Sequence, residues 1–376
     1  MARILMIAGE PSGDLHAAGV VRALRRKRPD WEIVGIGGPQ MASAGMTCFH
    51  STNEMAILGF SEVVRHFPFI HRVLNELKSE VRRRPPNLVI LIDYPGFNLR
   101  FAKFVHGQNI PILYYISPQV WAWGKGRVKK MAKWITKMAV IFPFEEEIYR
   151  RAGVNVEFVG HPLLEENEGR KKRPDLRDEL DIPREKRIFG LLPGSRPQEV
   201  RKLLPEMIRT FEQLRKTFPD LQGVVSQSPQ LDPRFYAPYL SSQLKLTART
   251  RALMRSSVFM LVASGTATLE AALSQTPFAV VYRLSPLSYF LGKHLISIEH
   301  IGMVNIVAGE RIVPEFVQKD FKAEKMAPKI AEILKDSEKY DAIRQNLRSI
   351  SGKLGKPGAS GRVAELAIQL VEKNDP

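Results

Sequence analysis

Short apolar runs that lead directly into a turn and then a helical pattern recur along this chain, and this repeat limits the fold more than any other feature. The clearest copy is the run VFMLV at 258–262, which has the length of a buried strand. The turn Ser264-Gly265-Thr266 and then apolar residues at helical spacing follow it. Strands that alternate with helices form parallel sheets with right-handed crossovers. The sequence therefore predicts an α/β fold.

The alternation runs twice, which indicates two domains. Residues 2–8 predict a first strand, and the turn at 9–14 (GEPSGD) leads into a helix; it lacks the spaced three-glycine dinucleotide fingerprint, so NAD is not expected. Residues 165–186 are charged and poor in core residues, and a new strand follows at 188–192. We predict domains at 1–165 and 166–350 and a C-terminal helix within 351–376.

Charge and cysteine content restrict the class of protein. The net charge of +17 suits nucleic acid, an anionic membrane surface or phosphorylated substrates, but no nucleic-acid-binding signature accompanies it. The single cysteine, Cys48, excludes an internal disulfide framework and a cysteine zinc site. No apolar run reaches eighteen residues and no cleavable signal pattern is present, so we expect a cytoplasmic protein without a spanning helix.

Two turns of the second half suit an anion. Ser264, Gly265 and Thr266 should aim backbone N–H groups outward, as a diphosphate requires. Glu270 follows, either as a first-turn acid favoured by the helix dipole or as an acceptor of sugar hydroxyls. The turn at 193–197 contains Gly194, and a predicted capping box pairs Ser195 with Gln198. Arg196 then remains available for a bidentate phosphate contact.

The first half offers a candidate base. Asp93 follows the buried strand 88–92, at the sheet edge where open parallel sheets place their active sites. A loop aspartate before a helix is also a common turn or cap residue. His16 and His161 compete with Asp93, because a histidine also accepts a proton near neutral pH.

Segment 55–81 combines apolar residues at helical spacing with cations, and Pro68 interrupts it. We predict two short helices, the second starting at the proline. The pattern describes either a helix that lies on an anionic bilayer or a core helix with a solvated basic face, and periodicity alone favours the core helix. The candidate membrane contacts are Phe60, Val63, Val64, Phe67, Phe69 and Ile70.

Several motifs together resemble the lipid-A-disaccharide synthases, nucleotide-sugar glycosyltransferases of the GT-B architecture. They span most of the chain to about residue 310, and the long run with two tryptophans is the most specific of them. The matching motifs are GEPSGD at 9–14, GP at 38–39, IDYPGFN at 92–98, YISPQVWAW at 115–123, GHP at 160–162, LPGSR at 192–196, ASGTATLE at 263–270 and Asn305.

The resemblance implies two Rossmann-like domains with parallel sheets facing a cleft, and a C-terminal helix that crosses back to the first domain. It implies inverting transfer of 2,3-diacylglucosamine from its UDP donor to 2,3-diacylglucosamine 1-phosphate, giving the β-1,6-linked lipid A disaccharide 1-phosphate and UDP. Asp93 would be the base, the diphosphate would face Gly194, Ser195, Arg196, Ser264, Gly265 and Thr266, and the ribose would face Glu270. Further substrate contacts are assigned to Ser12, Gly13, Asp14, Asn98, Gln119, Trp121, Trp123 and Asn305.

The same resemblance implies no cofactor and no catalytic metal, which fits the lack of a metal-ligand cluster in the sequence. It places the enzyme peripherally at the inner face of the cytoplasmic membrane and is compatible with a homodimer that exchanges C-terminal segments.

Two rival interpretations stay open. One is another GT-B enzyme that uses UDP-N-acetylglucosamine, either a peptidoglycan-precursor transferase or an epimerase, and the other is a basic module that binds membrane or nucleic acid.

Overall fold

The protein is an α/β protein with two parallel sheets, which confirms the predicted fold class. The computed structural model describes residues 1–55, 60–118, 128–167, 175–283 and 300–374, with the backbone alone for residues 53, 60–67, 166 and 167. Within these ranges one sheet has seven strands and the other six, and every strand pair inside the sheets is parallel. The chain forms two compact units, the first made of residues 1–168 with 354–376 and the second of residues 169–353.

The first sheet has the order β3-β2-β1-β4-β5-β6-β7. Its strands are β1 (Arg3–Ala8), β2 (Glu32–Gly37), β3 (Thr47–Ser51), β4 (Leu88–Ile92), β5 (Ile112–Tyr115), β6 (Lys137–Val140) and β7 (Val156–Phe158). The helices between them are α1 (Pro11–Lys27), α2 (Pro39–Ser43), α3 (Thr52–Met55), α4 (Phe60–Arg83), α5 (Pro95–His106), α6 (Val128–Trp134) and α7 (Pro143–Arg151), and a 3₁₀ helix at Pro162–Asn167 follows β7.

The second sheet has the order β10-β9-β8-β11-β12-β13. Its strands are β8 (Arg187–Leu192), β9 (Leu221–Ser226), β10 (Leu244–Thr247), β11 (Ser257–Ala263), β12 (Phe278–Tyr282) and β13 (Glu315–Val317). The helices of this unit are α8 (Leu176–Glu179), α9 (Pro197–Thr217), α10 (Thr250–Ser256), α11 (Ala267–Leu273), α12 (Met303–Ala308), α13 (Ala323–Lys335) and α14 (Ser337–Lys353), with 3₁₀ turns at Pro233–Phe235, Ala237–Tyr239 and Gln318–Asp320.

Continuous apolar strands explain why both sheets are covered by helices on two faces. All five residues of β4 are fully buried, and so are five of the six residues of β1. A strand that is apolar on both faces must be covered on both, which helices achieve in parallel sheets. One core cluster surrounds β1, β4 and β5, and a separate one surrounds β8, β9 and β11.

The last helix, α15 (Ala359–Lys373), belongs to the first unit. It packs on α1, where Lys27 and Glu365 form an ion pair at 3.1 Å. A Cβ added to Gly19 of α1 would lie 2.3 Å from the Ser360 hydroxyl oxygen, so only glycine permits this close approach. The Glu165 carboxylate accepts hydrogen bonds from the Ser360 backbone N–H and hydroxyl, each at 2.6 Å. The chain thus returns to its first unit at its end.

Helix α4 corrects one prediction. The sequence predicted a second helix that starts at Pro68, but a single helix of 24 residues runs through the proline. A proline inside a helix loses one backbone hydrogen bond. Here the apolar face outweighs that loss, because Val73, Leu74, Leu77 and Val81 are all buried against the first core. Among the described residues, no helix combines the length and apolar character needed to cross a bilayer.

Candidate functional site

Two turns meet at the carboxyl edge of the first sheet. Strands β1 and β4 are neighbours, with Ala8 opposite Ile92. The residues that follow them, Glu10 in one turn and Asp93 in the other, therefore lie side by side. The Tyr94 ring covers Gly9 so closely that a Cβ there would lie 2.2 Å from a ring carbon. Glycine at position 9 is thus required by the packing of the two turns.

The backbone at Asp93 is strained. Asp93 and Tyr94 have φ values of 46° and 48°, two successive left-handed residues that are not glycine. Each such residue costs about 1–3 kcal/mol and persists where its surroundings fix it, often at functional sites. Pro95 then begins α5. The aspartate predicted as the base thus lies at a specialised turn.

Main-chain hydrogen bonds hold this turn in place. The Asp93 carbonyl oxygen accepts the Tyr114 hydroxyl at 2.5 Å and the Asn98 side-chain amide at 2.8 Å. The same amide donates to the Ile92 carbonyl at 3.1 Å, and the Asp93 N–H donates to the Tyr115 carbonyl at 3.0 Å. Asn98 is fully buried. Its observed contacts therefore support the loop, and the substrate contact assigned to it stays a prediction.

The Asp93 carboxyl group is suited to accept a proton near neutral pH. Burial, and then the neighbouring Glu10 carboxylate, raise its pKa to about 7, while a backbone hydrogen bond from Tyr94 opposes the shift. A general base is most effective when its pKa is near the working pH. The raised pKa of Asp93 is therefore compatible with its predicted role as the base.

The GEPSGD turn contributes support as well as exposed groups. Ser12 is exposed at the start of α1, and Gly13 is buried against Ala8 and Ile92. Asp14 is buried, and its carboxylate accepts the backbone N–H groups of Gly38, Gln40 and Met41 at 2.8–3.1 Å. These bonds satisfy the first turn of α2. The Asp14 side chain thus has a structural role, and the substrate contact assigned to it stays a prediction.

Of the two competing histidines, His161 is less suited to proton transfer than Asp93. His16 and His161 are buried, with ring centroids 6.4 Å apart. Burial and the nearby His16 lower the pKa of His161 to about 3, and its Nδ1 accepts the Leu163 N–H at 3.2 Å. A histidine with so low a pKa is a weak base.

In the second unit, the turns after β8 and β11 are neighbours, because these strands pair. Gly194 adopts φ 104°, and the Glu199 carboxylate accepts the N–H groups of Ser195 at 3.1 Å and Arg196 at 3.3 Å. The predicted capping box of Ser195 with Gln198 is wrong by one residue: Arg196 is the N-cap and Glu199 the third helical residue. Ser195 and Arg196 are exposed. Their side chains therefore face solvent at the sheet edge.

The turn after β11 is open in the way an anion site requires. Gly265 has φ 147°, no atom lies within 4 Å of a Cβ placed on it, and both Gly265 and Thr266 are exposed. The Ser264 hydroxyl donates to the Ile301 carbonyl at 2.9 Å, which links this turn to the start of α12. The Ser264 N–H donates to the Val281 carbonyl at 3.0 Å. The backbone is thus accessible at Gly265 and Thr266, whereas the N–H and the hydroxyl of Ser264 are engaged.

Glu270 pairs with a cation that the sequence analysis did not select. Its carboxylate accepts Arg251 Nε at 2.9 Å, and both side chains are about a quarter exposed. Glu270 lies in the first turn of α11, as predicted, and its role as an acceptor of sugar hydroxyls stays a prediction. The bridge fixes the carboxylate and leaves part of it open to solvent, so Glu270 is available for a ligand hydroxyl.

Asn305 is fully buried and has a complete set of internal partners. Its amide nitrogen donates to the Val313 carbonyl at 3.0 Å and to Glu315 at 2.8 Å, and its oxygen accepts the N–H groups of Ile312 and Val313 at 3.0 and 3.1 Å. An amide side chain offers two donors and two acceptor positions. The four bonds thus occupy the Asn305 side chain within the fold, and the substrate contact assigned to it stays a prediction.

Other predicted site residues lie partly or wholly outside the described residues. Gln119, Trp121 and Trp123 are among these, and so are the side chains of Phe60, Val63, Val64 and Phe67. Phe69 and Ile70 are partly buried and pack against the first core. In the part of the chain that the structure covers, no group of three or more His, Cys, Asp or Glu side chains could hold a metal ion.

Sequence reasoning missed the residues that support the site. Glu10 could have been found, because it occupies the turn beside that of Asp93. Tyr114 and Tyr149 read as core residues of a strand and a helix, and no local signal shows that Tyr149 donates to the Pro118 carbonyl at 2.7 Å. Arg251 precedes Glu270 by 19 residues on another helix. Such partners become visible only when the chain is folded.

Comparison with known proteins agrees with the resemblance in the sequence. The family described as lipid-A-disaccharide synthetase matches residues 4–367. The lipid-A-disaccharide synthase of Geobacter sulfurreducens is 42% identical over 375 residues, covering 99% of this chain and 98% of that protein. Among solved structures, the UDP-GlcNAc 2-epimerase of Neisseria meningitidis superposes with a TM-score of 0.65 at 12% identity, covering 99% and 100% of the two chains. A calicheamicin glycosyltransferase gives a TM-score of 0.62 at 15% identity, with full coverage of both. These structures share the fold.

Proposed function

Because this chain belongs to the lipid-A-disaccharide synthase family, we propose that it joins two acylated glucosamine units with Asp93 as the base. The protein is a glycosyltransferase of lipid A biosynthesis that uses a UDP-sugar donor and a lipid acceptor. The specific substrates we propose are UDP-2,3-diacylglucosamine and 2,3-diacylglucosamine 1-phosphate. The other GT-B activities and the binding module are not favoured by the family assignment.

The observation that carries the mechanism is the strained Asp93 turn. In the proposed step, the acceptor 6-hydroxyl oxygen bonds to the anomeric carbon of the donor as the bond from that carbon to the diphosphate breaks. The hydroxyl proton passes to the Asp93 carboxylate, and UDP leaves with the electron pair. Attack opposite to the leaving group inverts the anomeric centre and gives the β-linkage. A pKa near 7 supports this role, because the group is then both a competent base and largely ionised just above neutral pH.

We assign donor contacts to the second unit. The turn after β11 offers the backbone N–H groups of the exposed residues Gly265 and Thr266 to a diphosphate, and the turn after β8 offers the exposed Arg196 guanidinium. Glu270, fixed by Arg251, offers carboxylate oxygens to the ribose hydroxyls. No metal or cofactor is invoked in this proposal, since guanidinium and N–H groups offset the charge of the leaving group.

We further propose that the protein binds the cytoplasmic face of an anionic membrane through the first turns of α4. The apolar and cationic residues at 60–72 support this, together with the lipid acceptor that the family implies.

A homodimer that exchanges residues 354–376 is also proposed. Gly355 and Gly358 lie near the start of this segment and have φ values of 88° and 99°. Glycine adopts such backbone conformations readily, as a hinge requires.

The test of function is release of UDP from UDP-2,3-diacylglucosamine in the presence of the 1-phosphate acceptor. UDP-N-acetylglucosamine serves as the rival donor. Asp93→Asn should lower kcat by roughly 10²–10⁴-fold, as expected for loss of a general base, with UDP affinity unchanged. Turnover with UDP-N-acetylglucosamine alone would instead support one of the rival enzymes. Full turnover by folded Asp93→Asn would assign the aspartate to the loop structure.

A further inference from the structure

The hydroxyl group of Tyr114 lies inside the first core, where apolar packing alone would not require a polar atom. Tyr114 lies on β5 and is fully buried in the cluster that includes Val89, Leu91 and Phe101. Phenylalanine would fill nearly the same volume without a polar atom. A buried hydroxyl is unfavourable unless it is hydrogen-bonded, and this one donates to the Asp93 carbonyl oxygen at 2.5 Å.

The same carbonyl oxygen receives a second buried donor, the Asn98 amide at 2.8 Å. Both donors reach it from inside the fold, one from the neighbouring strand and one from α5. They act on the residue whose φ of 46° is unfavourable for a side chain with a Cβ. Burial raises the pKa of Tyr114 well above its usual range, so its hydroxyl stays protonated and remains a donor.

We propose that Tyr114, together with Asn98, is a positioning residue that holds Asp93 in its left-handed conformation and thereby aims its carboxylate at the acceptor hydroxyl. The inference rests on the proposed role of Asp93 as the base. In this role neither residue touches the substrate. Displacing a catalytic group by about 1 Å can cost roughly 10²-fold in rate, so a support of this kind affects turnover more than binding.

The test compares Tyr114→Phe with the native enzyme in the UDP-release assay. We expect kcat to fall roughly 10- to 100-fold while KM for each substrate changes by less than about twofold. The acid limb of the pH profile should move to lower pH, because a relaxed turn exposes the carboxyl group to water. The titratable neighbours of Asp93 are Glu10, Tyr94 and Tyr114, and Tyr114→Phe leaves the first two in place.

Tyr340→Phe is the matched control. It also removes a tyrosine hydroxyl that donates to a carbonyl, that of Val258 at 2.7 Å, but in the second unit at the amino end of β11. This variant should keep the native kcat and pH profile. If Tyr114→Phe does not yield folded protein, Asn98→Leu removes the other donor and carries the same expectation.

A double-variant cycle separates this inference from the proposed function. If Tyr114 acts through Asp93, adding Tyr114→Phe to Asp93→Asn should reduce kcat by less than about twofold further. The inference is overturned if Tyr114→Phe lowers kcat as strongly in the Asp93→Asn background as in the native enzyme. It is also overturned if folded Tyr114→Phe has the native kcat and pH profile. Native turnover by Asp93→Asn alone overturns the base assignment instead, and with it the premise of the inference.

Discussion

At the scale of single residues, Glu10 should tune the base. Burial, followed by the Glu10 carboxylate, raises the pKa of Asp93, so Asp93 carries its proton below about pH 7 and cannot act as a base there. Glu10→Gln removes one cause of the shift, and the acid limb of kcat should move to lower pH. Glu338→Gln, an exposed carboxylate of the second unit, is the control and should leave the profile in place. An unmoved acid limb in Glu10→Gln would show that burial alone sets the pKa.

The same shift has a consequence for stability. The folded protein binds the Asp93 proton more tightly than the unfolded chain does, since the folded pKa is raised from 3.8 to about 7. The contribution of this group to the free energy of unfolding therefore falls as pH rises from about 4 to 7. Asp93→Asn should remove that slope, which urea unfolding at several pH values measures. An identical slope in the variant would contradict a raised pKa.

Glu270 should contribute to the affinity of the protein for UDP. Glu270→Ala should weaken UDP binding by roughly 10- to 100-fold, because hydrogen bonds to charged groups contribute about 1.5–3 kcal/mol. Arg251→Met breaks the same ion pair but keeps the carboxylate, so it should cost much less affinity. Calorimetry with UDP distinguishes the two variants. Equal affinities for both variants and the native protein would leave Glu270 as a partner of Arg251 only.

At the scale of elements, α4 divides into a part that packs and a part proposed to meet the membrane. Phe69 and Ile70 contact the core, so replacing them by serine should lower the melting temperature. Phe60→Ser with Phe67→Ser should instead reduce sedimentation with anionic vesicles at an unchanged melting temperature. Each large apolar side chain withdrawn from a lipid phase forgoes about 1.5–3 kcal/mol. A melting temperature lowered as far as in Phe69→Ser would make these residues part of the core.

At the scale of the whole molecule, the returning helix α15 tests the proposed dimer. Lys27 and Glu365 form an ion pair between α1 and α15, so Lys27→Cys with Glu365→Cys, in a Cys48→Ser background, can be joined by a short bis-maleimide crosslinker. Exchange between subunits predicts a covalent dimer on a non-reducing gel. A product that stays monomeric would show that each chain keeps its own C-terminal helix. The single-cysteine variants control for random crosslinking.

Local patterns in the sequence were sufficient for the α/β fold and for the carboxyl-edge turns that carry Asp93, Gly194 and Gly265. Such patterns reflect short-range rules, since the period of apolar residues fixes each element and parallel strands align their carboxyl ends at one edge. The motif resemblance gave the family, which the comparisons confirm.

Only the tertiary structure decided what the side chains at those turns contact. Asn98 and Asn305 lie in motifs to which substrate contacts were assigned, and only the folded chain shows that both are buried and bonded to main-chain groups of the fold. Tyr114 reads as a core residue, yet its hydroxyl reaches Asp93, 21 residues earlier. A polar side chain bonds to whatever partner folding brings within about 3 Å, and those partners lie on other strands and helices whose proximity no local pattern encodes.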